Sequence, residues 1–143
     1  MRVLRIVVAL LALAGARAAH AQAGYRVIVN AANPAESISR TELSRLFLKK
    51  VTTWKTGRPV VVVDQVENAS ARAQFTREVH EREITSVKSY WQQMVFAGRA
   101  VPPTEKPSDA DVLAFVRANP NAVGYVSANA TLADGVKVLA VNR

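Results

Sequence analysis

Four consecutive valines, Val60 to Val63, stand near the middle of the chain and are closed by Asp64. A strand exposed on one face alternates apolar and polar side chains. An unbroken β-branched run instead marks a strand covered on both faces, as in a parallel sheet flanked by helices. The flanking sequence supplies the helices. Residues 68 to 80 carry Ala71, Phe75 and Val79 at helical spacing. On the other side Ser39-Arg40-Thr41-Glu42 has capping-box spacing and opens a helix with Leu43, Leu46 and Phe47 on one stripe.

Tyr25 to Asn30 reads as a strand ended by Asn33-Pro34, and Lys55 to Pro59 as a turn. A further helix is expected over Ser86 to Val95, with Val87, Tyr90 or Trp91, Met94 and Val95 on its apolar stripe. Residues 99 to 107, with three prolines, read as an extended loop. Ser108 starts another helix with Asp109 and Asp111 in its first turn and Val112, Leu113 and Val116 inward; Asn119-Pro120-Asn121 ends it. Val123 to Ser127 and Val136 to Val141 are the last strands. The expected order is β-α-β-α-α-α-β-β, an α/β class with a small mixed, partly parallel sheet flanked by helices.

The chain's 143 residues allow one compact domain. Arg2 and Arg5 precede a nine-residue apolar run, Ile6 to Ala14, and small residues follow to Ala19-His20-Ala21. This is the pattern of a secretory signal peptide, too short to span a membrane. The expected division is a signal peptide over 1–21 and a single domain over 22–143, periplasmic or secreted. Without cysteine there is no disulfide, no thiol chemistry and no lipid-modified cysteine to anchor the chain. Removing Arg2, Arg5 and Arg17 from the nineteen basic residues leaves sixteen against eleven acids, a formal charge of +5. On an exported protein this charge points to anionic solutes, acidic proteins or membrane surfaces rather than nucleic acid.

Catalytic and metal constellations are not visible. His80 is alone in the exported part and reads as a surface helix residue; no glycine-rich phosphate loop or nucleophile elbow occurs. No cofactor and no enzyme activity are expected. Asp109 and Asp111 serve the helix dipole, Trp54, Trp91 and Phe96 read as core or packed edges, and Arg40, Arg45, Lys49 and Lys50 form a solvated cationic face. The best candidate site is the junction after the valine strand, residues 64 to 72. In an open α/β sheet, ligands lie beyond the carboxyl ends of strands, where a helix amino end presents unpaired N–H groups. Asn68 or Ser70 caps the helix there, with Glu67 before it and Arg72 in or near its first turn. An anion fits such a place, and so does a helix cap with no ligand.

Val27-Ile28-Val29-Asn30, Asn33-Pro34, the run Ser39 to Lys50, Trp54, Gly57, the valine strand, Phe75 and Asn121 to Ser127 follow one another in an order that resembles the phosphate-binding periplasmic proteins of ABC transporters. The resemblance implies their fold, export, a phosphate-like anionic solute and a transporter partner. It covers one lobe of a two-lobed family. Aligned on Phe75, the family's junction arginine, acid and Gly-Ser-Gly-Thr run fall on Gln65, Glu67, Asn68, Ala69, Ser70 and Ala71. The acid is kept at Glu67 and the arginine is not. A lone lobe leaves water on a bound anion, which weakens each contact. The expected function is an exported solute-binding-protein-like domain that holds phosphate or another oxyanion through Glu67, Asn68, Ser70 and Arg72. The alternative is a non-catalytic interaction or sensory module that uses the uncovered face to dock an envelope protein or a second copy.

Overall fold

The computed structural model describes residues 24–143, and the expected signal peptide lies outside them. In chain order the elements are β1 (Tyr25–Asn30), β2 (Ser37–Ser39), α1 (Arg40–Phe47), β3 (Val61–Gln65), α2 (Ser70–His80), α3 (Ile84–Phe96), β4 (Thr104–Lys106), α4 (Asp109–Ala118), β5 (Ala122–Ser127), β6 (Val136–Val138) and β7 (Ala140–Asn142). Five strands form one sheet in the order β4-β3-β5-β1-β6, and β2 pairs with β7 in a second. β3 is parallel to β4 and β5, whereas β1 runs antiparallel to both β5 and β6. The mixed, partly parallel α/β sheet is therefore present.

The main sheet is covered on both faces, as the valine run requires. Alternating residues sort to opposite sides. Val27, Val29, Val62, Val123 and Tyr125 pack with Leu43, Leu46 and Phe47 of α1 and Ala71, Phe75 and Val79 of α2. Ile28, Val63, Ala122 and Val126 face Val112, Leu113 and Val116 of α4. Gly124 permits the close approach on that second side: a Cβ there would lie 2.6 Å from Val63 Cγ1 and 3.0 Å from Val112 Cγ1. The capping box at Ser39 and Glu42 forms, and Ser108 caps α4. Leu48 of the α1 end packs on Val87 and Trp91 of α3.

Several expectations change. The loop over 99–107 contains β4, which forms because Thr104–Lys106 lies along the free edge of β3 (Val63 opposite Thr104, Gln65 opposite Lys106); backbone pairing there overrides a proline-rich sequence. The last strand is two: β6 joins the main sheet and β7 leaves it for β2. Helix α2 begins at Ser70 rather than 68, and its N-cap is Ala69 with no side-chain cap, so neither Asn68 nor Ser70 caps it. Val95 and Phe96 are exposed, 51% and 96%, so the stripe of α3 ends before them and Phe96 is not a packed edge. His80 is buried, with Nδ1 2.7 Å from Ser44 Oγ, because α2 packs against α1 on that face. No helix among the described residues is long and apolar enough to cross a membrane.

Candidate functional site

β3 and β5 carry their carboxyl ends to the same side of the sheet, and the amino ends of α2 and α4 follow directly after β3 and β4. At this junction the sequence has placed polar residues in the last pair of strand positions, Asp64 and Gln65, both buried. Each is tied down. Asp64 Oδ1 accepts from the Tyr125 hydroxyl at 2.5 Å and from the Gln65 N–H at 2.8 Å. Gln65 Nε2 donates to the Tyr125 carbonyl at 2.8 Å and to Asp109 Oδ1 at 3.0 Å; that same carboxylate oxygen takes the Ser127 N–H at 3.0 Å. Asp109 thus does more than serve a helix dipole: it joins β3, α4 and the end of β5.

Arg72 lies two residues into α2 and is 7% exposed. Its Nη1 sits 3.1 Å from Asp64 Oδ1, donates to the Gln65 carbonyl and reaches Glu105 Oε1 of β4 at 3.5 Å. Asp64 is held above its usual range by burial, against the pull of Arg72, the Tyr125 hydroxyl and the Gln65 N–H. Tyr125 is pushed up by burial and by the Asp64 charge beside its hydroxyl. Both groups therefore keep their protons bound more tightly than free side chains would. Within the network the single guanidinium of Arg72 faces the carboxyls of Asp64 and Glu105, and Asp109 has only neutral partners.

The four sequence-derived candidates fall on one side of this network. Arg72 is its buried member. Glu67, Asn68 and Ser70 are exposed around the start of α2, and Glu67 pairs with Lys88 of α3 at 3.3 Å. The N–H groups of Ser70 and Ala71 have no partner among the described residues, because the N-cap Ala69 has no side-chain acceptor. Nη1 takes every bond of Arg72 among those residues, and Nε and Nη2 are unbonded there. Asp64 lies inside the expected 64–72 junction without being one of its four named candidates, Asp109 was expected only to serve a helix dipole, and Tyr125 and Glu105 are the members that sequence reasoning missed. The available signal was Asp64, an acid closing an apolar strand at its carboxyl end. Among the described residues no group of three or more His, Asp or Glu is placed to hold a metal ion. Trp54 and Trp91 belong to different packed clusters and Phe96 to neither, so the three make no shared stacking platform.

This architecture is that of a periplasmic-binding-protein lobe, and a sequence profile described as the PBP superfamily domain matches residues 20–142. The chain belongs to that family. Among solved structures, it is similar to a chain from Clostridium perfringens described as a phosphate ABC transporter substrate-binding protein with bound phosphate (TM-score 0.66, 21% identity, covering 82% of this chain and 44% of that one). An ABC-type phosphate transport receptor from Vibrio cholerae gives 0.65 at 22% identity, over 82% and 46%. PstS from Borrelia burgdorferi gives 0.58 at 12%, over 83% and 47%. At these identities the likeness is one of fold. The chain spans under half the length of these structures, so the match is to one lobe. No curated protein matches it.

Proposed function

We propose that this chain is an exported, periplasmic solute-binding-protein-type domain of phosphate transport that holds a small oxyanion at the β3–α2 junction. The observation that carries the reading is the uncapped start of α2. Two N–H groups stand free beside a helix dipole, the unused edge of Arg72 lies in the same turn, and the Ser70 hydroxyl is exposed next to them. Such an arrangement favours an anion without any cofactor. Glu67 and Asn68 flank it. A carboxylate beside a bound oxyanion is tolerated when the anion carries a proton to donate, which phosphate does at neutral pH and sulfate does not. The reading is of a binding protein that delivers its solute to a transporter, not of an enzyme.

Isothermal titration of the purified protein with phosphate and with sulfate tests this. Saturable heat with phosphate, weaker heat with sulfate and loss of the phosphate signal in Ser70→Ala support the assignment. No heat with either anion refutes it.

A second reading, docking of an envelope protein or a second copy, is favoured by the exposed Val95, Phe96 and Val101 at the end of α3 and in the loop after it. Crosslinking in cell envelopes together with sedimentation of the purified protein decides it. A strict monomer with no crosslinked partner removes this reading.

A further inference from the structure

A groove of about 660 Å³ lies between the segment leading into β2 and the loop joining α1 to β3, and none of the junction residues lines it. Its apolar lining is Pro34, Ala35, Ile38, Leu46, Val51 and Trp54, of which Ile38, Leu46 and Trp54 are largely buried. Both walls are fixed before any ligand arrives. The Trp54 ring is held by its Nε1–H on the Asn121 carbonyl at 3.0 Å. The turn carrying it is closed by Trp54 N–H on the Arg58 carbonyl and Gly57 N–H on the Trp54 carbonyl, both at 2.8 Å, with Gly57 at φ +84°. Opposite, Asn33 Oδ1 accepts the Ala35 N–H at 2.9 Å and the Asn33 N–H reaches the Asn30 carbonyl at 2.9 Å.

The polar side chains lining the groove are Asn33, Ser37, Glu42, Arg45, Thr53, Lys55 and Thr56. Asn33 is 5% exposed, and its Oδ1 is spent on Ala35. Its Nδ2 has no partner among the described residues. At the rim, Glu42 is satisfied by the Ser39 N–H, the Ser39 hydroxyl and Lys55 at 3.1 Å, and these hold its carboxyl below the usual range. Glu42 and Lys55 therefore cancel. The Arg45 guanidinium has no acid within ion-pair distance among the described residues. Asn33 Nδ2 and the Arg45 guanidinium can only donate, the Ser37, Thr53 and Thr56 hydroxyls can donate or accept, and the uncancelled charge is positive.

We propose that this groove is a second ligand site, distinct from the β3–α2 junction, for a small organic anion. Its ring-sized apolar body lies against Pro34, Ala35, Val51 and Trp54, and its carboxylate, sulfonate or phosphate-ester head meets Asn33 Nδ2 and Arg45. The volume lies within the range of small-molecule sites, which pair apolar walls with a few placed polar groups. Inorganic phosphate has no apolar body to bury and is not held here. The inference stands whether or not the junction binds an oxyanion.

The probe is anilinonaphthalene sulfonate, an aromatic body with one sulfonate. On the intact folded protein it is expected to fill one saturable site and to quench tryptophan emission, a quench that Trp54→Phe largely removes although Trp91 remains. Arg45→Glu should weaken binding about tenfold, the scale of a lost charge-assisted hydrogen bond, while Arg45→Lys retains most of it. Ser70→Ala and excess inorganic phosphate should leave it unchanged. Arg45 is exposed, so its variants keep the fold, which near-ultraviolet circular dichroism checks. The proposal is overturned by the absence of a saturable site, by displacement with inorganic phosphate, or by Arg45→Glu changing affinity less than about twofold.

Discussion

Replacing Arg72 with methionine strips the buried Asp64 of its cation while leaving the carboxyl in place. The two side chains are each 8% exposed and 3.1 Å apart, so the variant must either bury an unpaired charge or protonate it. Protonation sets the ceiling. Holding an acid with an ordinary value of 3.8 neutral at pH 7 costs about 4 kcal/mol, at about 1.4 kcal/mol per pH unit. That agrees with the roughly 3–5 kcal/mol seen when one partner of a buried pair is removed. The sign of the pH dependence follows. In the variant the folded state keeps a proton that the unfolded state releases above 3.8, so stability falls as pH rises, with that cost down to about 2 kcal/mol at pH 5; the wild type, whose Asp64 is also raised but opposed by Arg72, shows the same sign over a narrower range. The double variant Asp64→Asn, Arg72→Met removes both charges and should recover most of the loss. Urea unfolding at several pH values, run on the wild type and both variants, measures all of this. If Arg72→Met costs under about 1 kcal/mol with an unchanged pH profile, Asp64 does not hold the guanidinium, and Arg72 is free for a ligand as a whole side chain.

Other perturbations act at separate places. His80 is pushed down to about 4 by burial and by the charges of Arg72, Arg82 and Lys50; the unfolded chain takes up its proton near 6.5 and the fold refuses it until about 4, so about 3 kcal/mol of stability should be lost across that window. Urea unfolding at both ends of the window should show His80→Gln losing much less; equal losses would remove His80 as the cause. Gly124→Ala places a methyl 2.6 Å from Val63 Cγ1 and should cost about 1–3 kcal/mol by overpacking, read as a lowered midpoint of thermal unfolding. Lys49 follows α1 at φ 51° with no side-chain partner among the described residues, so Lys49→Gly should stabilise the fold by about 1 kcal/mol; an unchanged urea midpoint would count against that strain.

Much of the frame could be read from local pattern because local physics determines it. The valine run had to be buried on both faces, the Ser39–Glu42 spacing had to cap a helix, and Val112, Leu113 and Val116 had to face a sheet. What escaped reading depends on partners distant in sequence. β4 is a strand only because the edge of β3 is open to it, and three residues of Thr-Glu-Lys carry no propensity that announces this. Arg72 lies eight residues beyond Asp64 and thirty-three before Glu105, and only the parallel packing of β3, β4 and α2 brings the three together. His80 looked like a surface residue because its own helix gives no reason to bury it; the Ser44 hydroxyl on α1 does.

The same distinction fixes what kind of binding the junction supports. Gln65, which stands where the resemblance puts an arginine, is not an idle replacement: its amide is consumed by Asp109 and the Tyr125 carbonyl, so it stabilises the strand end and has no charge to offer a ligand. The remaining cation there is already balanced by Asp64. Attraction for an oxyanion must then come from dipoles, the free N–H groups of Ser70 and Ala71 and the Ser70 hydroxyl, helped by one edge of a neutralised guanidinium. At a solvent-exposed helix start such contacts are each worth on the order of 1 kcal/mol, which sums to weak capture. They strengthen severalfold only where a second surface excludes water and lowers the local dielectric. Phosphate binding by this lobe alone should therefore be weak and sensitive to salt, and a covering partner that tightens it is the expected complement.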